Sequence, residues 1–255
     1  MPTERRVIVE FSAEQLTAVV ANIIQSLVCE TVARTGHCHI ALSGGTTPRA
    51  VYQQLAQSAM KAEVPWQKVH IFWGDERDVP HDNVESNYRM ATRLLLDHLP
   101  LEPENIYPMP ADRDDLDQGA IEYEATIRRV VPADENGVPS FDLILLGMGA
   151  EGHVASLFPN SPALDEKERL VIAPFVPVLG RRRMTFTFPL INAAKCIVFL
   201  ITGEDKTQVV SEVLDSAETA KATRPAARVQ PTNGLLIYAM DAAAGRATQY
   251  AQKLE

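Results

Sequence analysis

Leu16, Val19, Val20, Ile23, Ile24, Leu27 and Val28 recur at the three- and four-residue spacing of one helical face. Ser12 and Gln15 form a capping box ahead of this run and Gly36 follows it, so the pattern predicts an amphipathic helix between them. Before that helix the N-terminal stretch MPTERRVIVEF alternates toward a strand. After it, short β-rich apolar runs predict strands at His39–Leu42, Val69–Trp73, Phe141–Leu146, Val171–Pro174, Met184–Phe188, Cys196–Ile201 and Leu235–Met240. Helical spacing falls near residues 48–59, 86–98, 114–130, 204–215 and 241–252. Apolar runs with no polar face, separated by helices, predict an α/β fold: a Rossmann-like three-layer α/β/α arrangement around a mostly parallel sheet. Met184–Phe188 alternates more cleanly and fits a half-exposed or antiparallel strand. No Gly/Ser-rich linker divides the chain, so residues 1–255 are expected to form a single α/β domain.

Charge narrows the partners. With 24 basic and 33 acidic residues the chain carries a formal −9, which argues against nucleic acid or an anionic membrane, since either needs a broad positive field. A small anionic ligand would need local cations. Cys29, Cys38 and Cys196 are odd in number and far apart, as suits a reducing cytoplasm better than a disulfide framework. No leader-like apolar segment follows the N-terminal arginines and no window reaches the length of a membrane span, so a soluble, unprocessed protein is expected.

In a parallel sheet, ligands bind beyond the carboxyl ends of the strands, and four predicted strands end in unusual loops. His39–Leu42 leads into Ser43-Gly44-Gly45-Thr46-Thr47-Pro48, whose small residues let backbone N–H groups approach an anion at the start of the next helix. The alternative is an ordinary strand-to-helix turn with Thr47 as N-cap and Pro48 at the first helical position. Val69–Trp73 leads into Gly74-Asp75-Glu76-Arg77, and Cys196–Ile201 into Thr202-Gly203-Glu204-Asp205-Lys206. Arg77 could grip a phosphate as a bidentate fork and Lys206 as a point charge; equally, each could be solvated, with Asp75, Glu76 and Arg77 forming a surface ion-pair cluster.

The fourth loop is Gly147-Met148-Gly149-Ala150-Glu151-Gly152-His153-Val154-Ala155-Ser156-Leu157-Phe158-Pro159. Its glycines spell the dinucleotide fingerprint, but Pro159 cuts off the helix expected from Gly152, and no carboxylate stands near Leu170–Ala173 to bind a ribose. What remains is a carboxylate and an imidazole two residues apart. Such a pair can take a proton from water near neutral pH and return it to a leaving oxygen, with Glu151 orienting His153. The alternative is that His153 caps or packs against the short helix and Glu151 is solvated. His37 and His39 could suggest a metal, but Cys38 between them would face the opposite side and nothing else of ligand type lies near in sequence, so a strand histidine pair is the simpler reading. No G-x-S-x-G elbow offers a nucleophilic serine.

Taken in order, these loops resemble the glucosamine-6-phosphate isomerase/6-phosphogluconolactonase family, and within it the lactonases. The resemblance rests on LSGGTTP at 42–48, FWGDERDVP at 72–80 with SNY at 86–88, LILLGMGAEGHVASLFP at 143–159, Arg183-Met184-Thr185-Phe186-Thr187, FLITGEDK at 199–206 and PAARVQPTNG at 225–234. It implies hydrolysis of 6-phospho-D-glucono-1,5-lactone without metal or other cofactor. Ser43, Gly44, Gly45, Thr46, Arg77 and Lys206 would hold the phosphate; His153 would be the general base, with Glu151 and Asp75 completing the catalytic set. The family usually has Asp at the position of Glu151 and Thr at that of Val154. The isomerase/deaminase branch typically carries M-D-E-Y at the second loop and N-E-P after the histidine turn; here the matching stretches are Gly74-Asp75-Glu76-Arg77 and Leu157-Phe158-Pro159. A third possibility on the same fold is a non-catalytic sugar-phosphate sensor.

Overall fold

Val69–Trp73 and Cys196–Ile201 form strands with the bounds their apolar runs predict, because side chains on both faces of these strands are buried beneath helices. The structure, a computed structural model, describes residues 4–59, 63–215 and 217–251. Its strands are β1 (Glu4–Glu10), β2 (Cys38–Leu42), β3 (Val69–Trp73), β4 (Asp75–Arg77), β5 (Leu143–Gly147), β6 (Val171–Ile172), β7 (Phe175–Val176), β8 (Arg181–Phe186), β9 (Cys196–Ile201) and β10 (Leu235–Asp241). The helices are α1 (Ala13–Thr35), α2 (Thr46–Ala59), α3 (Asn87–Leu94), α4 (Leu116–Val130), α5 (Phe188–Ile191), α6 (Thr207–Asp215), α7 (Ala217–Ala220) and α8 (Ala242–Gly245).

Six strands form one parallel sheet in the order β1-β10-β9-β5-β2-β3. The chain moves one way along this order through α1 and α2, and the other way on its return through α4 and α6. Right-handed crossovers therefore place the two sets of helices on opposite faces. β2 and β5 are neighbours whose outgoing connections diverge, which opens a crevice at their carboxyl ends.

A second, antiparallel sheet, β4-β8-β6 with β7 also paired to β8, stands beside the first. This corrects two readings. Asp75-Glu76-Arg77, expected as a loop after β3, is a strand, and it is not the surface ion-pair cluster that was its alternative: it pairs with Thr185, Met184 and Arg183, and both Asp75 and Glu76 are buried. Val171–Pro174 is a strand only as far as Ile172.

Helix α1 starts at Ser12, whose side chain accepts from the Gln15 N–H, and ends at Gly36. It is long and apolar enough, by length and composition, to cross a membrane, contrary to the expectation that no window reaches that length. Here it buries Leu16, Val20, Ala21, Ile24 and Val28 against the sheet and α2. The helical pattern of 241–252 shrinks to the four residues of α8; beyond it Thr248 turns its N–H and Oγ1 back to the Gly245 carbonyl. Residue 252 lies outside the described residues.

Candidate active site

The four loops converge on one cleft of about 310 Å³ at the carboxyl edge of the parallel sheet. Ser43, Gly44, Gly45 and Thr46 line one end of it, His153 another part, and Asp75, Arg77 and Lys206 the remaining walls.

The Ser43–Thr47 end is built by packing. Tyr52, fully buried, receives the Ser43 N–H at 3.0 Å and donates its own hydroxyl to the Ser43 carbonyl at 2.7 Å, which fixes the strand exit. A Cβ on Gly44 would stand 2.0 Å from Asn87 Oδ1, so only glycine allows this approach. Helix α2 begins at Thr46, one residue before the expected N-cap Thr47, so Pro48 is its third residue rather than its first. Thr47 instead pairs its hydroxyl with that of Thr202 at 2.7 Å, which ties this loop to the one after β9. The positive end of α2, with first-turn N–H groups that have no helical partner, faces the cleft.

Two cations border the space. Lys206, largely buried, is paired with Asp205 at 2.8 Å. Arg77 donates to the Glu85 carbonyl and is cross-strand partner to Arg183. Burial, then the Arg77 charge, lowers the pKa of Arg183, whose guanidinium lies 3.6 Å from Asp78. Sequence reading noted Arg183 only as part of a motif; the antiparallel pairing that sets it beside Arg77 could not be read from spacing.

At the other end, Glu151 Oε1 lies 2.8 Å from His153 Nδ1. The extra methylene of glutamate is accommodated by the local turn: the Gly149 N–H donates to the His153 carbonyl at 3.0 Å and the Gly152 N–H to the Gly149 carbonyl at 2.9 Å. A Cβ on Gly149 would stand 2.1 Å from His153 Nδ1 and 2.5 Å from Glu151 Oε2, so bare backbone forms the floor beneath the pair. The His153 hydrogen bond draws the Glu151 pKa down to about 2, with a smaller pull from Lys206. Glu151 is therefore a carboxylate at neutral pH. Phe158 stacks on the imidazole, centroids 4.2 Å apart at 21°.

No helix forms between Gly152 and Pro159, contrary to expectation. Val154 and Leu157 pair across a tight turn whose first central residue, Ala155, has φ 48. His153 consequently caps no helix, and Val154 is wholly buried. Arg224, which sequence reading passed over, donates to the Glu151 carbonyl at 3.2 Å and is held by Glu212 at 2.6 Å. Its separation of 73 residues from Glu151 left no local signal.

His37 and His39 lie at the opposite, amino edge of the sheet, where His70 joins them: His70 Nε2 is 3.1 Å from His37 Nδ1, and its ring stacks on His39 at 4.8 Å. Asp142 accepts from the His39 backbone N–H at 2.8 Å and from Lys195 at 2.7 Å. Among the described residues, no group of three His, Cys, Asp or Glu side chains is arranged to hold a metal ion.

Comparison with known proteins decides the family. A family model described as glucosamine-6-phosphate isomerases/6-phosphogluconolactonase matches residues 12–238. The chain belongs to this family. Within it, the chain is 42% identical over 229 residues to a 6-phosphogluconolactonase of Synechocystis sp., covering 88% of this chain and 92% of that protein. It is 38% identical over 208 residues to the 6-phosphogluconolactonase of Haemophilus influenzae, covering 82% and 86%. The solved 6-phosphogluconolactonase of Trypanosoma brucei superposes with a TM-score of 0.84 at 26% identity, over 96% of this chain and 98% of that one.

Proposed function

We propose that this protein hydrolyses 6-phospho-D-glucono-1,5-lactone to 6-phospho-D-gluconate, in the cytoplasm, as the lactone-opening step of the oxidative pentose phosphate pathway. The observation that carries the reading is the 2.8 Å contact by which Glu151 holds Nδ1 of His153, a residue lining the cleft together with Ser43–Thr46, Arg77 and Lys206.

The backbone N–H groups of Gly44–Thr46 and the Ser43 hydroxyl, with Arg77 and Lys206, hold the phosphate as a dianion at the positive end of α2; the Ser43 N–H is already taken by Tyr52. With Nδ1 engaged by Glu151, His153 uses Nε2 as the base. Nε2 takes a proton from a water whose oxygen attacks the lactone carbonyl carbon, and Glu151 stabilises the imidazolium that forms. Backbone N–H groups of the glycine-rich turn other than those of Gly149 and Gly152, which bond within it, or Arg77, offset the charge on the carbonyl oxygen. As the tetrahedral intermediate collapses, the bond from carbon to ring oxygen breaks and the imidazolium returns its proton to that oxygen. The carboxylic acid produced then ionises. No step calls on a cofactor.

Phe158 favours this over isomerisation and deamination. It stacks on His153 at the position where the isomerase/deaminase pattern has a carboxylate, which leaves no third acid there for ring opening. The intact Glu151–His153 bond favours an enzyme over a sensor. Supplying the lactone and glucosamine 6-phosphate in parallel tests the reading: lactone loss faster than the spontaneous rate, with no ammonia from the amino sugar, is expected. Ammonia release with lactone loss at the spontaneous rate would replace it with the deaminase reading.

A further inference from the structure

Asp75 sits between the two ends of the cleft, and both its carboxylate oxygens are engaged. Oδ2 accepts from Ser156 Oγ at 2.8 Å, and Oδ1 faces Asn87 Nδ2 at 3.3 Å; the same amide donates to the Asp75 backbone carbonyl at 2.9 Å. Ser156 lies three residues past His153 and donates its N–H to Thr185 Oγ1 at 3.1 Å. Asn87 bears on Gly44, and its Oδ1 is a buried acceptor with no donor among the described residues. Asn87, Ser156 and Asp75 are 1%, 2% and 8% exposed. A buried carbonyl oxygen without a donor is costly, and it is kept here where the amide wedges the Ser43–Thr46 loop against Asp75.

Resting on the lactonase reading, we infer that Asn87, Asp75 and Ser156 are positioning residues: a buried polar spacer that fixes the distance from the phosphate-holding loop to His153, with Asp75 holding rather than carrying a proton. The spacer runs from Gly44 through Asn87, Asp75 and Ser156 to the turn that presents the imidazole. A substrate held by its phosphate reaches His153 only if its carbonyl lies at the matching distance, and a misplacement of about 1 Å can cost ~100-fold in rate. Glu76 anchors the spacer from behind. Its carboxylate accepts the backbone N–H groups of Asn87 and Tyr88, each at 2.8 Å, and the Ser86 hydroxyl at 3.0 Å, fixing the start of α3.

The test compares Ser156→Ala with Asp75→Asn in full-length protein, reading kcat and its pH profile on the phosphorylated lactone and inhibition by inorganic phosphate. Ser156→Ala breaks the spacer: kcat should fall roughly 10- to 100-fold with phosphate inhibition unchanged within about twofold. Asp75→Asn keeps both contacts if the Ser156 hydroxyl reverses to accept, so kcat should stay within about tenfold and the pH profile should keep its shape. Asp75 carries a proton, and the inference is wrong, if Asp75→Asn loses roughly 100- to 10,000-fold and a limb of the profile. Full kcat in Ser156→Ala, or phosphate inhibition weakening in step with kcat, would equally overturn it. Wild-type protein no faster than spontaneous hydrolysis removes the reaction itself and the spacer's purpose with it.

Discussion

Glu151 meets His153 on the Nδ1 side of the imidazole, 2.8 Å away, so the ring has only Nε2 left for chemistry. Glu151→Gln keeps the length of the side chain but no longer fixes which nitrogen carries the proton, nor stabilises the imidazolium. It should lower kcat by about tenfold or more, within the ~100- to 10,000-fold that acid–base catalysis supplies, with KM little changed. Steady-state kinetics on the lactone measures the split.

Acid should reach that pair late. The Glu151 pKa lies near 2 against an ordinary 4.5, so its favourable interaction is complete above pH 4.5 and is lost only as pH falls through about 2. Loss of activity between pH 4.5 and 7 therefore belongs to a group other than Glu151, and its limb should persist in Glu151→Gln with the same slope, whatever its midpoint. A wild-type acid limb that disappears in this variant would show that Glu151 titrates within that range.

Gly149→Ala should separate activity from stability. The new Cβ would meet His153 Nδ1 at 2.1 Å and Glu151 Oε2 at 2.5 Å, both side-chain atoms that can swing away. The fold should survive with a melting temperature near that of wild type, while kcat falls roughly 100-fold because the imidazole is displaced by about an ångström or more. Calorimetry and kinetics on one preparation check both halves.

Glu76 is almost fully buried, and burial pushes its pKa up against the opposing pull of the Asn87, Tyr88 and Arg77 backbone N–H groups. Its two oxygens only accept. In Glu76→Gln an amide N–H₂ must face one of these donors, so a loss of roughly 1–3 kcal/mol is expected in urea unfolding, with no change in the slope m.

At the amino edge, burial and the neighbouring His39 and His37 lower the His70 pKa from 6.5 to about 4. The unfolded chain therefore binds the extra proton first. The stability associated with neutral His70 is fully present above pH 6.5 and declines as pH falls toward 4. The melting temperature should drop over that window in wild type and drop less in His70→Gln.

The sequence made the frame of the site legible because each of its loops follows a buried strand, and an apolar run bounded by glycine, proline and polar residues announces both. Ser43–Thr46, Arg77, Lys206 and His153 all line the cleft, with Glu151 bonded to His153 behind it. What stayed hidden depends on distant partners. The charged tripeptide Asp75-Glu76-Arg77 has no strand-like pattern; it becomes a strand because β8 pairs with it more than 100 residues later. Ser156 and Asn87 stand in the sequence only as members of the motifs at 143–159 and 86–88, and their roles appear only where Asp75 lies between them. The short helix expected at Gly152 fails because Val154 and Leu157 pair across a turn instead.

The most direct measurement generates the lactone in place from glucose 6-phosphate with its dehydrogenase and follows its loss with wild-type protein, with His153→Ala and with no addition. Wild type should exceed the spontaneous rate by a wide margin, and His153→Ala should lose about 100- to 10,000-fold of that excess while inorganic phosphate still binds it. Equal rates for wild type and His153→Ala would contradict the account.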